Sequence, residues 1–149
     1  MSWMAISPEI LYLLATLGFL ALSLGGRTKS GREHSVALAV AGAGVVLSLV
    51  VIGAEGHMFA ATYRVDLFTQ VFKAMLAIGL FLVVSLCGDM HDVREGGRID
   101  FYALLFVCTL AMMMLVSSDH LLAMYVSLEL SSYSLYVLVA LRRDQESGL

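Results

Sequence analysis

The sequence predicts an all-α membrane protein with five transmembrane helices, and three observations carry that prediction. Of the 149 residues, 60% are hydrophobic and 14% charged, against about 45–50% and about 25% in an ordinary soluble domain. Mean hydropathy is +0.88. The apolar residues gather into five runs, each close to the ~20 residues that cross a ~30 Å hydrocarbon core. Lys and Arg fall almost wholly between those runs, in a regular alternation. Nine Lys+Arg against twelve Asp+Glu give a net charge of −3, which is no footprint for nucleic acid. A single proline and little polar low complexity exclude a disordered chain.

The runs are approximately Ile6–Leu24, Val36–Ala54, Leu67–Cys87, Phe101–Val116 and Leu121–Leu141, in one segment covering residues 1–149. Backbone groups in lipid must be satisfied within their own segment, so each run is a helix. Barrel strands would be about half as long and alternate in polarity. The first run has no Lys or Arg before it and has Arg27, Lys29 and Arg32 after it. A signal peptide has the reverse arrangement, so this run is a retained span. Ser7-Pro8-Glu9 reads as its opening, with Ser7 as N-cap, Pro8 at the first helical position and Glu9 near the positive end of the helix dipole.

The second run places small residues four apart, at Ala37/Ala41, Ala39/Ala43 and Gly44/Ser48. Such steps let helix backbones approach closely in a bilayer, so this run reads as a packing surface. Met112, Met113, Met114 and Met124 bracket the turn between the last two runs and read as core or lipid-facing filler. Cys87 and Cys108 lie in or beside apolar runs without a C-x-x-C or Cys/His spacing. They predict no metal site. No phosphate loop, nucleophile elbow or H-E-x-x-H is present, and no cofactor-binding residue is expected.

Positive charges in successive connections number none, three, one (Arg64), two (Arg94 and Arg98), none and two (Arg142 and Arg143). The positive-inside rule then puts the N-terminus outside and the C-terminus in the cytoplasm.

Beyond Glu9 at the opening of the first run, two ionisable residues remain within the apolar runs. Lys73 is seven residues beyond Asp66, roughly 10 Å into its helix. It reads equally as a snorkelling anchor or as a charge buried against a partner helix. Glu129 is ten residues beyond Asp119, about 15 Å deep. From there a glutamate reaches neither interface, so it is protonated, paired with a cation or facing water. Tyr125 before it, and Ser132, Tyr133 and Tyr136 after it, lie at helical spacing and put hydroxyls on one face. That stripe suits proton handling, or an interhelical hydrogen-bonding strip around a neutral acid. His34, His57, His91 and His120 fall in connections or at helix ends, and His120 reads as an ordinary interfacial histidine before it reads as the outer mouth of a proton path.

With these residues in view, the chain resembles the antiporter-like subunit N of NADH-quinone oxidoreductase, respiratory complex I. The matching stretches are Ser7-Pro8-Glu9-Ile10-Leu11, then Asp66-Leu67-Phe68 with Val71-Phe72-Lys73. The most specific match runs from Phe101-Tyr102-Ala103-Leu104-Leu105 through Met112-Met113-Met114 and Leu128-Glu129-Leu130 to Leu135–Arg143. It covers this whole chain but only about a third of the family's usual length. The resemblance implies a multi-pass protein of the cell inner membrane. It assigns Glu129 as a proton-carrying acid that works with a lysine of a later helix, and that lysine is not among these residues. The missing helices and lysines would come from a further segment or chain, this one being a fragment, a split subunit or a truncated product. Implied partners are the other membrane subunits and lipid, while NADH, FMN, iron–sulfur clusters and quinone belong to other subunits. A multi-chain sodium/proton antiporter or membrane-bound hydrogenase subunit shares the same helix set. A structural or assembly protein without transport is the alternative from another class.

Overall fold

A computed structural model describes residues 6–25, 32–53, 56–58, 63–89 and 95–146. Five helices long and apolar enough to cross a membrane are present among them. They are α1 (Ser7–Leu24), α2 (Arg32–Val50), α3 (Leu67–Leu86), α4 (Glu95–Ser117) and α5 (Leu121–Glu146). Arg27, Lys29, His91 and Arg94 lie outside the described residues.

Helix ends follow polar partners, and there the structure departs from the apolar runs. α1 is capped by Ile6, so Ser7 is its first residue rather than its cap, with Pro8 in the first turn, where its missing N–H costs nothing. α2 begins four residues before its apolar run, because Glu33 suits the positive end of the helix dipole. α4 begins six residues early. Its polar first turns are kept helical partly by Asp100, which accepts a hydrogen bond from the Ser23 hydroxyl of α1. α3 starts where the sequence places it: Asp66 accepts from the Thr69 backbone N–H at 2.9 Å and from the Thr69 hydroxyl at 2.6 Å. In the α2–α3 connection β1 (Gly56–Met58) pairs antiparallel with β2 (Tyr63–Val65). Val65 is buried, and β2 packs on α3 and α4.

α1, α2, α3 and α4 contact one another in a ring, and α5 packs on α4 outside it. The ring is antiparallel. Ser23 near the end of α1 meets Asp100 near the start of α4, and His34 of α2 meets the Tyr102 hydroxyl of α4 at 3.0 Å. Gly88, just past α3, lies against His34. On α2 the stripe Ala37, Ala41, Gly44 and Ser48 turns inward, while Ala39 and Ala43 do not join it. Gly44 is required there, because a Cβ would overlap the Tyr12 hydroxyl. Phe106 of α4 stacks on Phe19 with ring centroids 5.6 Å apart and tilts against Tyr12 at 5.7 Å, closing the α1–α4 seam. Leu13, Leu14, Leu17 and Leu20 stay exposed on the outer face of α1. Such a surface suits acyl chains, which are as apolar as leucine. Both cysteines are free thiols.

Candidate functional site: two intramembrane carboxylates

Glu129 lies near the middle of the apolar stretch Leu121–Leu141 of α5. Ser127, Ser131 and Ser134 form the buried face of this helix, toward α4. Ser131 and Ser134 donate their hydroxyls to the carbonyls of Leu128 and Leu130, at 2.9 and 2.8 Å. Small, internally satisfied side chains allow close helix contact. Residues 127 and 131 are each two positions from Glu129, about 200° around the helix, so Glu129 points nearly the opposite way. It is half-buried, while Tyr125, Tyr133 and Tyr136 around it are exposed and Ser132 is half-buried.

Tyr125 and Tyr133, one turn to either side, bring their hydroxyls close enough to interact with the Glu129 carboxyl. The Tyr136 ring meets that of Tyr133 edge-on, with centroids 6.5 Å apart. The structure therefore gathers three of the four supporting residues into one polar strip around Glu129. Among the described residues no hydrogen bond ties Ser132 to it. No ion pair to Glu129 is formed among the described residues. His120 is exposed beside the start of α5, where its Nδ1 accepts from the Leu122 N–H at 3.4 Å.

Lys73 has a different setting. Its Nζ lies 2.5 Å from Oε1 of Glu9, with the lysine side chain wholly shielded and that of Glu9 7% exposed. Of the two readings of Lys73, the geometry is that of a charge buried against a partner helix. The pair crosses the helix ring diagonally, since α1 and α3 are not adjacent members of it. Tyr12, one turn beyond Glu9, and Gln70, one turn before Lys73, are both fully buried.

Sequence reasoning missed Glu9 as a site residue, because a glutamate in a first helical turn is explained by the dipole alone. The available signal was charge balance. A buried Lys73 needs an anion, and Glu9 is the carboxylate of the first run. What was missing was knowledge of which helices face each other.

No family model matches the chain. It is 56% identical over its full length to NADH-quinone oxidoreductase subunit N 2 of Syntrophobacter fumaroxidans, covering 32% of that protein. It is 35% identical, over 95% of this chain and 31% of the relative, to NADH-quinone oxidoreductase subunit N of Rhodospirillum rubrum. Against subunit N 2 of Opitutus terrae the identity is 33%, over 97% of this chain and 30% of the relative. The chain thus spans about a third of the length of these curated relatives. By this similarity over its whole length, the chain is homologous to subunit N of NADH-quinone oxidoreductase and corresponds to the N-terminal third of that subunit.

Proposed function

We infer that the chain supplies the first five membrane helices of a proton-translocating NADH-quinone oxidoreductase, and that Glu129 carries protons in it. The observation that supports this most is the orientation of α5. Its midpoint carboxyl faces away from α4, flanked by two tyrosine hydroxyls, on a helix already packed by its opposite side. A carboxyl left so in lipid is costly, by at least ~2.5 kcal/mol on insertion scales. A lysine from a segment beyond these residues would relieve that cost, and its approach or withdrawal would change the proton affinity of Glu129. The relatives, about three times as long, have chain enough to supply such a segment. The tyrosine hydroxyls both donate and accept, so they can pass a proton to and from the carboxyl through water.

NADH oxidation and quinone reduction take place in other subunits, and conformational coupling brings their energy to this one. The N-terminus faces outward and the C-terminus inward, with lipid around the exposed leucines. The deciding experiment is NADH-driven proton uptake into inverted membrane vesicles, read with a pH-sensitive dye. Glu129→Gln is expected to lower protons moved per NADH sharply while the complex still assembles, and Glu129→Asp to retain part. Normal pumping by the Gln variant overturns the assignment. A purely structural strip would instead leave transport intact and loosen subunit association on Tyr133 or Ser132 substitution.

A further inference from the structure

The end of the ring at which α1 and α3 begin holds a second polar centre, distinct from the Glu129 strip. Glu9 and Lys73 form its charged core at 2.5 Å. Tyr12 and Gln70 extend it along α1 and α3, and Ser48 adds to it from α2, one turn beyond the Gly44 that lies against the Tyr12 hydroxyl. Tyr12, Ser48 and Gln70 are all fully buried. The hydroxyls of Tyr12 and Ser48 have no hydrogen-bond partner among the described residues. Buried hydroxyls without protein partners are ordinarily served by internal water, which needs two to four polar neighbours. Here those neighbours are present, beside an ion pair. The charged groups of α2 and α4 with described side chains (Arg32, Glu33, His34, Arg98 and Asp100) lie toward the opposite ends of those helices. The Arg64–Asp66 pair stands at the start of α3, 3.1 Å apart.

We propose that Glu9 and Lys73 form a second, hydrated proton-exchange site, which Tyr12 and Ser48 connect to internal water. The step balances within the pair. Lys73 Nζ gives a proton to Glu9 Oε1, which leaves a neutral amine and a neutral acid. The acid then releases that proton to water on the Tyr12 side, and the amine takes one up from water, restoring the ion pair. One proton has then passed through with no change in the groups. A mere clasp between α1 and α3 would have no use for two unsatisfied hydroxyls at its side. Intramembrane charges are rare enough that a proton or ion role is their default.

This inference rests on the chain belonging to a proton-translocating unit, so the test uses the assembled complex and separates the two. In inverted vesicles, protons moved per NADH are measured for the unaltered complex, for Glu9→Gln/Lys73→Met and for Glu129→Gln. The double variant removes both charges together, so it strands neither. It is expected to assemble and to move fewer protons per NADH than the unaltered complex. An unchanged ratio in an assembled double variant overturns the second site, whatever Glu129→Gln does. A normal ratio in Glu129→Gln overturns only the assignment of Glu129. Absence of any NADH-driven uptake by the unaltered complex overturns the translocating reading itself. Should the double variant fail to assemble, radiolytic hydroxyl-radical footprinting of the unaltered complex decides, because it labels side chains next to bound water. Labelling of the wholly buried Tyr12 is expected, and an unlabelled Tyr12 overturns the proposal.

Discussion

Glu9 and Glu129 are both carboxylates within apolar helices, yet the chain treats them in opposite ways. Glu9 is matched inside the ring by Lys73, and the pair spans the diagonal between α1 and α3. Glu129 stands on the outermost helix, on the side turned from α4, with hydroxyls but no ion pair among the described residues. Both groups are too expensive to bury as bare charges. The difference lies in where the compensation sits. For Glu9 it is built into these five helices, so the pair contributes to their own folding. For Glu129 no such compensation is formed among the described residues, so on the role proposed for it folding and proton transfer would be separable there.

The sharpest way to break the comparison is to remove one charge from the closed pair. Lys73→Met leaves Glu9 buried without its cation, and uncompensated burial of that kind typically costs about 3–5 kcal/mol. Much less of the chain should accumulate folded in membranes, and thermal unfolding in detergent should come earlier. Adding Glu9→Gln should recover most of the loss, because a neutral pair strands no charge. Recovery by that second substitution separates charge burial from lost lysine packing.

A smaller effect is expected where α1 and α2 touch. Gly44→Ala places a Cβ on the Tyr12 hydroxyl and ring. Overpacking of this order costs about 1–3 kcal/mol. Tyr12→Ala in the same chain should return part of it, measured again by thermal unfolding in detergent. Smaller still is Asp66→Ala, which removes the cap of α3 at a cost of about 1 kcal/mol. The hydrogen bonds from the Thr69 hydroxyl and N–H hold the Asp66 carboxyl below the ordinary aspartate range, with Arg64 adding to them. A depressed folded-state pKa gives stability that is present above the unfolded value and is lost as pH falls through the folded one. The Asp66→Ala penalty should therefore be full near neutral pH and shrink in strong acid.

How much of this was legible in the sequence follows from the kind of information each feature needs. Five helices could be read because the length of an apolar run is a property of the local chain. The starts of α2 and α4 could not, since Arg32, Glu33, Arg98 and Asp100 are polar yet helical, and Asp100 is settled by Ser23 from another helix. β1 and β2, three residues each, are too short for a period-2 pattern to declare itself. Glu129 and its hydroxyl stripe were readable because i±4 spacing is local. The Glu9–Lys73 pair was half readable: an isolated lysine announces the need for an anion, but only the helix arrangement says which one.

The smallest effect on folding, and the one that sharpens the comparison most, is expected from Glu129→Gln. Glu129 is half-buried on the flank of a helix whose packing face is made of Ser127, Ser131 and Ser134. A neutral isostere there disturbs no ion pair among the described residues and keeps acceptors for Tyr125 and Tyr133. Its effect on thermal unfolding should stay within about 0.5 kcal/mol, the range of substitutions away from a core. The same substitution is expected to remove most of the proton movement per NADH. A variant that leaves stability untouched while stopping transport would mark α5 as the face where this chain hands its chemistry to another segment. If Glu129→Gln instead destabilised the chain as strongly as Lys73→Met, the carboxyl would be compensated within these five helices. The contrast between the two carboxylates would then vanish.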